Sequence, residues 1–283
     1  MVMISLSYKN SMKSLLGKEM KINLIATDLD GTLLRNDKEP SRYTLSVLEE
    51  AHRQGIMIMP VTGRCWSVVP QWIKEAEFIP YIITSNGARI IDNRNKKTVF
   101  SEFLDKETLL LSVQKLKKYK VVMNLYANAQ IFVEDYTEKG DVRKIANTNR
   151  LSTDMYEYIL THDLELEKMD AYFEVYEERA SAWKEFKEIE GISLSAAFDF
   201  NVEINSVKGN KGEALIKMVN LLNLDIASVA AFGDGINDIL LLKAAGIPIA
   251  VENAVEDIKK IALYETESNE DDGVARFIER NLQ

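Results

Sequence analysis

The sequence predicts an α/β fold: a doubly wound, Rossmann-like parallel sheet into which a second, α+β unit is inserted. Three observations carry this prediction. Short apolar runs such as Ile22–Ala26 and Ile56–Met59 lack the regular alternation of a surface strand and lead into Asp, Thr and Gly, the pattern of strands buried on both faces. Stretches of helical period separate them, and strand, helix, strand in succession implies parallel pairing with crossovers. From Ala88 to about Asn201 the strands alternate apolar and polar residues instead, after which the first pattern returns.

In chain order, Ile22–Ala26 reads as the first buried strand, followed by Asp28 and Asp30. Residues two apart on a strand share a face, so an extended chain through Leu29 points both carboxylates at one spot, while a plain Asp-Gly turn is the alternative. "PSRYTLSVLEEAHRQG" follows as a helix, with Ser41 as N-cap, Leu45, Leu48 and Ala51 at helical spacing and Gly55 as the stop. "IMIMPVTGR" is the second strand, "CWSVVPQWIKEAE" a helix that packs Trp66 and Trp72 in its layer, and "YIITSNG" the third strand. The inserted unit offers strand-like "ARIID", "TVFSEF", "VVMNLYA", "QIFVED", "DAYFEVYE" and "ISLSAAFDF" around helices such as "DKETLLLSVQKLKKYK". Then "VEINSVKGNKGEALIKMVNLLNL" supplies a strand, a basic loop and an amphipathic helix; "SVAAFGDGINDILLLKAAG" supplies an apolar strand, an acidic glycine turn and a helix; "IPIAV" is one more strand. The expected organisation is a tail over 1–19, a core over 20–87 and 202–283, and the insertion over 88–201. The tail has no apolar segment or small-residue cleavage pattern of a secretory signal.

At 283 residues, with 46% hydrophobic and 28% charged residues, the chain has the composition of an ordinary globular protein and no window that approaches a membrane span. A net charge of -9 argues against a general nucleic-acid binder, although local cations can still accept an anionic substrate. One cysteine, Cys65, permits no intrachain disulfide and fits a reducing compartment, with the cytoplasm as the default. The two histidines, His52 and His162, sit in a helical pattern and a polar run, so any chemistry falls to carboxylates.

Four short stretches fall at the carboxyl ends of expected core strands, where open α/β sheets bind ligands: "DLDGT", "TGR", the lysine loop before "GEAL", and "GDGIND". Each alone is a turn, a strand end or a solvated charge run. In this order they bring two carboxylates, a hydroxyl, a fixed cation and two further carboxylates to one sheet edge. Asp234 and Asp238 fall one helical turn apart and can face one metal. Phosphoryl transfer asks for such a set: a nucleophile, neutralisation of the equatorial oxygens and a proton for the leaving oxygen. Oxygen ligands suit Mg²⁺, and a carboxylate beside it and a lysine can attack phosphorus to give an acyl phosphate.

The ordered set "DLDGTLL", "VTGR", "SNGA", "NKGEAL", "AFGDGINDILLLKAAG" and "NA" followed by "EDDGVA" resembles the haloacid dehalogenase superfamily, specifically Cof-type (subfamily IIB) phosphatases with a large α/β cap, from Lys21 to Gln283. The resemblance implies Asp28 as nucleophile and metal ligand, and Asp30 as general acid and base that binds the metal through its carbonyl. It implies Thr62, the Gly63 amide and the Leu29 amide as phosphoryl holders, and Lys211, rather than its rival Lys208, as their counter-charge. It further implies that Asp234 completes the Mg²⁺ site with Asp238 supporting it from beside or behind, that Asn237 reaches the phosphate, and that Asn86 and Arg64 lie on the substrate side, with a salt bridge that only pins the loop as the alternative for Arg64. The implied partner is a small phosphorylated metabolite: sugar phosphates first, flavin mononucleotide or pyridoxal phosphate next. The alternatives are a phosphomutase or phosphotransferase of the same fold, or a silent phosphate-binding or signalling protein. Two departures stand out: Glu252 in "AVENA" and Leu263 where the family commonly has Asp. The aromatics Tyr126, Tyr156, Tyr158 and Trp183 could stack on a substrate ring, and packing within the cap is the expected role for most.

Overall fold

The computed structural model describes residues 21–134, 148–196 and 199–281; the expected tail lies outside them. Strand β1 (Leu24–Thr27) is wholly buried and is followed, after the acidic loop, by helix Arg42–Arg53, capped by the Ser41 hydroxyl, which accepts from the Thr44 amide. β2 (Met57–Pro60) pairs parallel with β1. The expected helix after it is broken into a single 3-10 turn, Trp66–Val68, and a five-residue helix, Gln71–Glu75. Pro70 explains the break, since it lacks an amide proton and disfavours helical geometry in the residue before it.

β3 (Tyr81–Thr84) extends the parallel sheet only through one bridge, Val61 to Ile83, and otherwise pairs antiparallel with β4 (Arg89–Asp92), which pairs with β5 (Lys97–Ser101). Residues 89–101 thus hydrogen-bond on the core side, whereas the sequence reading opened the insertion at 88. Their alternation is that of an exposed hairpin, which looks the same in one dimension as a strand of the inserted sheet. β6 (Val121–Ala127), β7 (Gln130–Glu134), β8 (Thr148–Leu151), β9 (Leu166–Phe173), β10 (Ile192–Ser195) and β11 (Asn201–Ser206) form one six-stranded sheet in the order β10-β11-β9-β6-β7-β8. β11 therefore belongs to this sheet, although the sequence reading gave 202–206 to the core. Its Asn201, Glu203 and Asn205 alternate with Val202 and Ile204, and it pairs antiparallel with β9 and β10.

The alternation along this sheet gives it two unlike faces. Met123, Leu125, Met169, Ala171, Val202 and Ile204 are buried in one cluster with Leu109, Val113 and Leu116 of helix Lys106–Leu116, Ile159 of helix Met155–Thr161, and Phe186 of helix Tyr176–Phe186. The opposite parity carries Asn124, Tyr126, Lys168, Asp170, Tyr172, Glu203 and Asn205. Tyr156, Tyr158 and Trp183 pack against the apolar cluster, as expected; Tyr126 does not.

After helix Lys211–Leu221 the chain returns to the central sheet through β12 (Val229–Gly233), β13 (Ile247–Val251) and β14 (Tyr264–Thr266), in the all-parallel order β14-β13-β12-β1-β2. Helices 42–53 and 273–281 pack together as one group, and 211–221, 239–244 and 256–261 as another. No helix among the described residues is long and apolar enough to cross a membrane.

Buried polar contacts fix the six-stranded sheet over the core. Arg89 reaches Glu165 at 2.7 Å and Glu167 at 2.9 Å, Ser85 donates to Glu167, and Asn86 donates to Glu203 at 3.0 Å. Ser85 and Asn86 both adopt left-handed backbone, and Gly87 follows at φ 106°. A Cβ at Gly87 would stand 2.4 Å from the backbone carbonyl of Asn210, just before Lys211. Gly87→Ala is expected to cost about 1–3 kcal/mol of stability, the range for enforced backbone strain, read from the urea midpoint; an unchanged midpoint would show that the turn relaxes freely.

Candidate active site

β1 ends at Thr27, but the Asp28 amide still donates to the Phe232 carbonyl of β12 at 3.0 Å, so the carboxylate emerges at the seam of the two central strands. The chain then coils back, with the Leu34 amide on the Leu29 carbonyl at 2.8 Å. Because the extended geometry stops here, the two acids do not share surroundings. Asp28 is buried, and its Oδ1 accepts from Lys211 Nζ at 2.6 Å. Asp30 faces Arg64, whose guanidinium forks onto both carboxylate oxygens at 2.7 Å, and Lys38 lies 3.1 Å from Oδ1.

Lys211 begins its helix behind an Asn210 cap that accepts from the Gly212 and Glu213 amides. Its ammonium also donates to Asp238 Oδ1 at 2.6 Å. Lys208, the rival in the same loop, is exposed. Asp238 closes a 3-10 turn rather than a full helical turn from Asp234, and its Oδ2 accepts from the Asp234 and Gly235 amides at 3.1 Å each. Asp234 Oδ1 accepts from the Thr32 hydroxyl at 2.7 Å. Gly31, at φ 81°, passes so close that a Cβ there would meet Asp234 Oδ2 at 2.5 Å.

Electrostatics follow from this packing. Burial pushes Asp28 well above the usual carboxylate range; Lys211 opposes, and Asp238 and Asp234 add to the rise. Burial, with Asp238 beside it, raises Asp234 to about 6. Burial alone would lower Lys211, but Asp238 and Asp28 outweigh it and the ammonium is held charged. Burial also works to raise Asp30, but the Arg64 hydrogen bonds and charge, with Lys38, win and hold it below its ordinary value.

Ligand atoms of Asp28, Asp234 and Asp238 lie within 4.8 Å of one another. Three carboxylates around one lysine leave negative charge uncompensated, and an all-oxygen donor set fits a hard divalent cation.

A cavity of about 830 Å³ opens above this cluster and is lined by Asp28, Asp30, Thr62, Gly63, Arg64, Asp234 and Asn237 together. Thr62 is placed by its amide on the Ile83 carbonyl at 2.9 Å, and its hydroxyl accepts from the Arg64 amide at 3.1 Å. The Leu29 side chain is in the core, which leaves only its backbone for a ligand. Lys211 and Asp238 sit beneath the floor, fully buried. Asn86, expected on the substrate side, is instead buried behind the wall: it donates to Glu203 and Asn205 and accepts from the Asn237 amide group at 3.4 Å. Thr32 and Lys38 were not expected at the site, nor was most of the cavity's opposite wall, where Lys168, Asp170, Tyr172 and Glu203 stand beside Tyr126, one of the cap aromatics named as able to stack on a substrate ring. The signal was present in β9, where Lys168, Asp170 and Tyr172 recur at every second residue between apolar ones.

Residues 25–278 match the haloacid dehalogenase-like hydrolase family. The chain belongs to that family. Among curated relatives of this haloacid dehalogenase-like hydrolase, the phosphatase YwpJ of Bacillus subtilis is 30% identical over 92% of this chain and 100% of its own. The 5-amino-6-(5-phospho-D-ribitylamino)uracil phosphatase YcsE of the same organism is 29% identical over 92% of this chain and 96% of its own. A solved haloacid dehalogenase-like hydrolase from B. subtilis superposes with a TM-score of 0.82 at 25% identity, over 91% of this chain and 99% of that one. Family and fold class are thus those the motifs implied.

Proposed function

We propose that this hydrolase is a Mg²⁺-dependent phosphatase of small cytoplasmic phosphomonoesters, acting through a phosphoaspartate at Asp28. The observation that carries the reading is the Lys211 ammonium, 2.6 Å from both Asp28 and Asp238, beneath a cavity walled by the Thr62–Arg64 loop. Asp28 Oδ1 is engaged by Lys211, so Oδ2 is the oxygen presented to phosphorus. Its attack forms the acyl phosphate and breaks the ester P–O bond, and the leaving oxygen takes a proton from Asp30. Water then attacks the phosphoaspartate, gives a proton to Asp30, and releases inorganic phosphate with Asp28 restored. Arg64 and Lys38 hold Asp30 ionised, the state that accepts the water's proton; the protonated state of the first step requires the Arg64 fork to open. Thr62 and the Gly63 amide hold phosphoryl oxygens. Asp28, Asp234 and the Asp30 carbonyl would hold Mg²⁺, with Asp238 supporting the site from behind through Lys211 and the Asp234 and Gly235 amides, and the ion would neutralise charge on the transferring group.

The relatives' names support the substrate class, since one acts on a phosphate ester of a ribityl chain. Sugar and polyol phosphates come first, flavin mononucleotide and pyridoxal phosphate next. The test is phosphate release from an aryl phosphate by the purified protein. Activity in millimolar Mg²⁺ is expected to drop roughly 100-fold or more in excess chelator and return when Mg²⁺ is restored. Chelator-insensitive turnover, or none by the folded protein with Mg²⁺, would count against the reading.

A further inference from the structure

The cavity's roof is the polar face of the six-stranded sheet. Lys168, Asp170 and Tyr172 share that face of β9; Glu203 stands across from Asp170, and Tyr126 across from Lys168. Lys168 Nζ lies 3.0 Å from Asp170 Oδ1, 3.0 Å from Glu203 Oε1 and 4.4 Å from the centre of the Tyr126 ring. The Tyr172 hydroxyl donates to the other Asp170 oxygen at 3.3 Å. Tyr126 packs on Cys65, next in sequence to Arg64, so the roof is continuous with the loop that walls the phosphate end.

Holding the sheet over the core explains Glu203 in part, through its bonds to Asn86 and Ser195, but not Lys168 and Asp170. Buried ion pairs seldom outperform apolar residues of similar volume, and the sheet's own core is made on its other face. Lys168, Asp170 and Glu203 are each nearly inaccessible to water, yet all line the cavity. Their charges do not cancel: one ammonium stands between two carboxylates, for a net of minus one. The ammonium is committed to those carboxylates, and Glu203 already accepts from Lys168, Asn86 and Ser195, so what the roof offers an incoming molecule is the remaining acceptor capacity of Asp170 and the aromatic faces. A hydroxyl or ammonium donor is matched there. A second phosphate or carboxylate would meet excess negative charge out of reach of water. Among the described residues, the other cations that line the cavity stand on the core side, where Arg64 and Lys38 already pair with Asp30 and Lys74 lies over the Trp66 ring.

We infer that Lys168, Asp170 and Glu203, with Tyr126 and Tyr172, form the leaving-group subsite, and that it selects phosphomonoesters whose remaining part is rich in hydroxyls and carries no second anionic group. This inference rests on the phosphatase reading for the reaction, though not for the binding preference.

Glucitol 6-phosphate and 6-phosphogluconate test it, because both are primary phosphoesters of an open polyhydroxylated six-carbon chain and only the second bears a carboxylate. The ratio of their kcat/KM values is expected to favour the first by about tenfold or more, and Asp170→Asn to shrink that ratio about threefold or more. Taking the ratio within each variant removes any loss of folded protein. The same two compounds, titrated calorimetrically into Asp28→Asn with and without Asp170→Asn, read the preference without turnover. A wild-type ratio near one, a preference for 6-phosphogluconate, or a ratio unmoved by Asp170→Asn overturns the inference. Preferential binding of glucitol 6-phosphate without turnover of any ester by the wild type would keep the subsite and overturn the phosphatase reading instead.

Discussion

Asp28→Asn is expected to lower phosphate release by roughly 10⁴-fold or more, the scale on which removing a covalent nucleophile acts, with the fold intact. The neutral amide cannot form the acyl phosphate, so no contact elsewhere substitutes for the lost bond. The fold survives for an electrostatic reason. Asp28 is a desolvated carboxylate near Asp234 and Asp238, with Lys211 as its nearest cation, and its pKa is driven up accordingly. Removing one charge from that group relieves repulsion, while the amide oxygen can still accept from Lys211, which retains Asp238. The denaturation midpoint should therefore hold or rise while activity vanishes. Activity within tenfold of wild type would move the nucleophile elsewhere.

The contrast between what was and was not legible in the sequence has a physical basis. The central strands were readable because burial on both faces forces apolar runs, and the loops of the candidate site because glycine and aspartate at strand ends have few structural reasons to coincide. Asp28, Thr62, Lys211, Asp234 and Asp238 come together as that logic implies. The limits of the insertion were not readable, because β4, β5 and β11 show the same alternation whichever sheet they join, and pairing between distant strands leaves no local mark. Pro70 broke an expected helix that apolar spacing alone would have continued. Lys168, Asp170 and Glu203 were passed over since a charged residue in an alternating strand ordinarily faces water; only the second body over the core makes that face an interior. Asn86 had the right neighbours in sequence, but its left-handed backbone turns it toward Glu203 rather than the cavity.

Lys211→Met should be the most damaging substitution for stability at the site, and its sign distinguishes it from Asp28→Asn. The lysine is fully buried and donates to two carboxylates at 2.6 Å each. Methionine fills much of the same volume but leaves Asp28 and Asp238 facing each other without their counter-charge, and breaking a buried pair in this way costs about 3–5 kcal/mol. Part of that cost is escaped by protonation, which Asp28, already raised, takes up most readily, so the loss should be largest at neutral pH and smaller near pH 5. Mg²⁺ should restore part of the stability in the variant, because a divalent cation can take over the neutralisation of Asp28, Asp234 and Asp238. Activity should fall roughly 10²- to 10³-fold even where the variant is folded, as expected when a preorganised charge is removed from the transferring group. Urea unfolding at pH 7 and pH 5, each with and without Mg²⁺, reads all three effects. An unfolding free energy unchanged at pH 7 would mean that Lys211 is a packing residue rather than the electrostatic centre of the site.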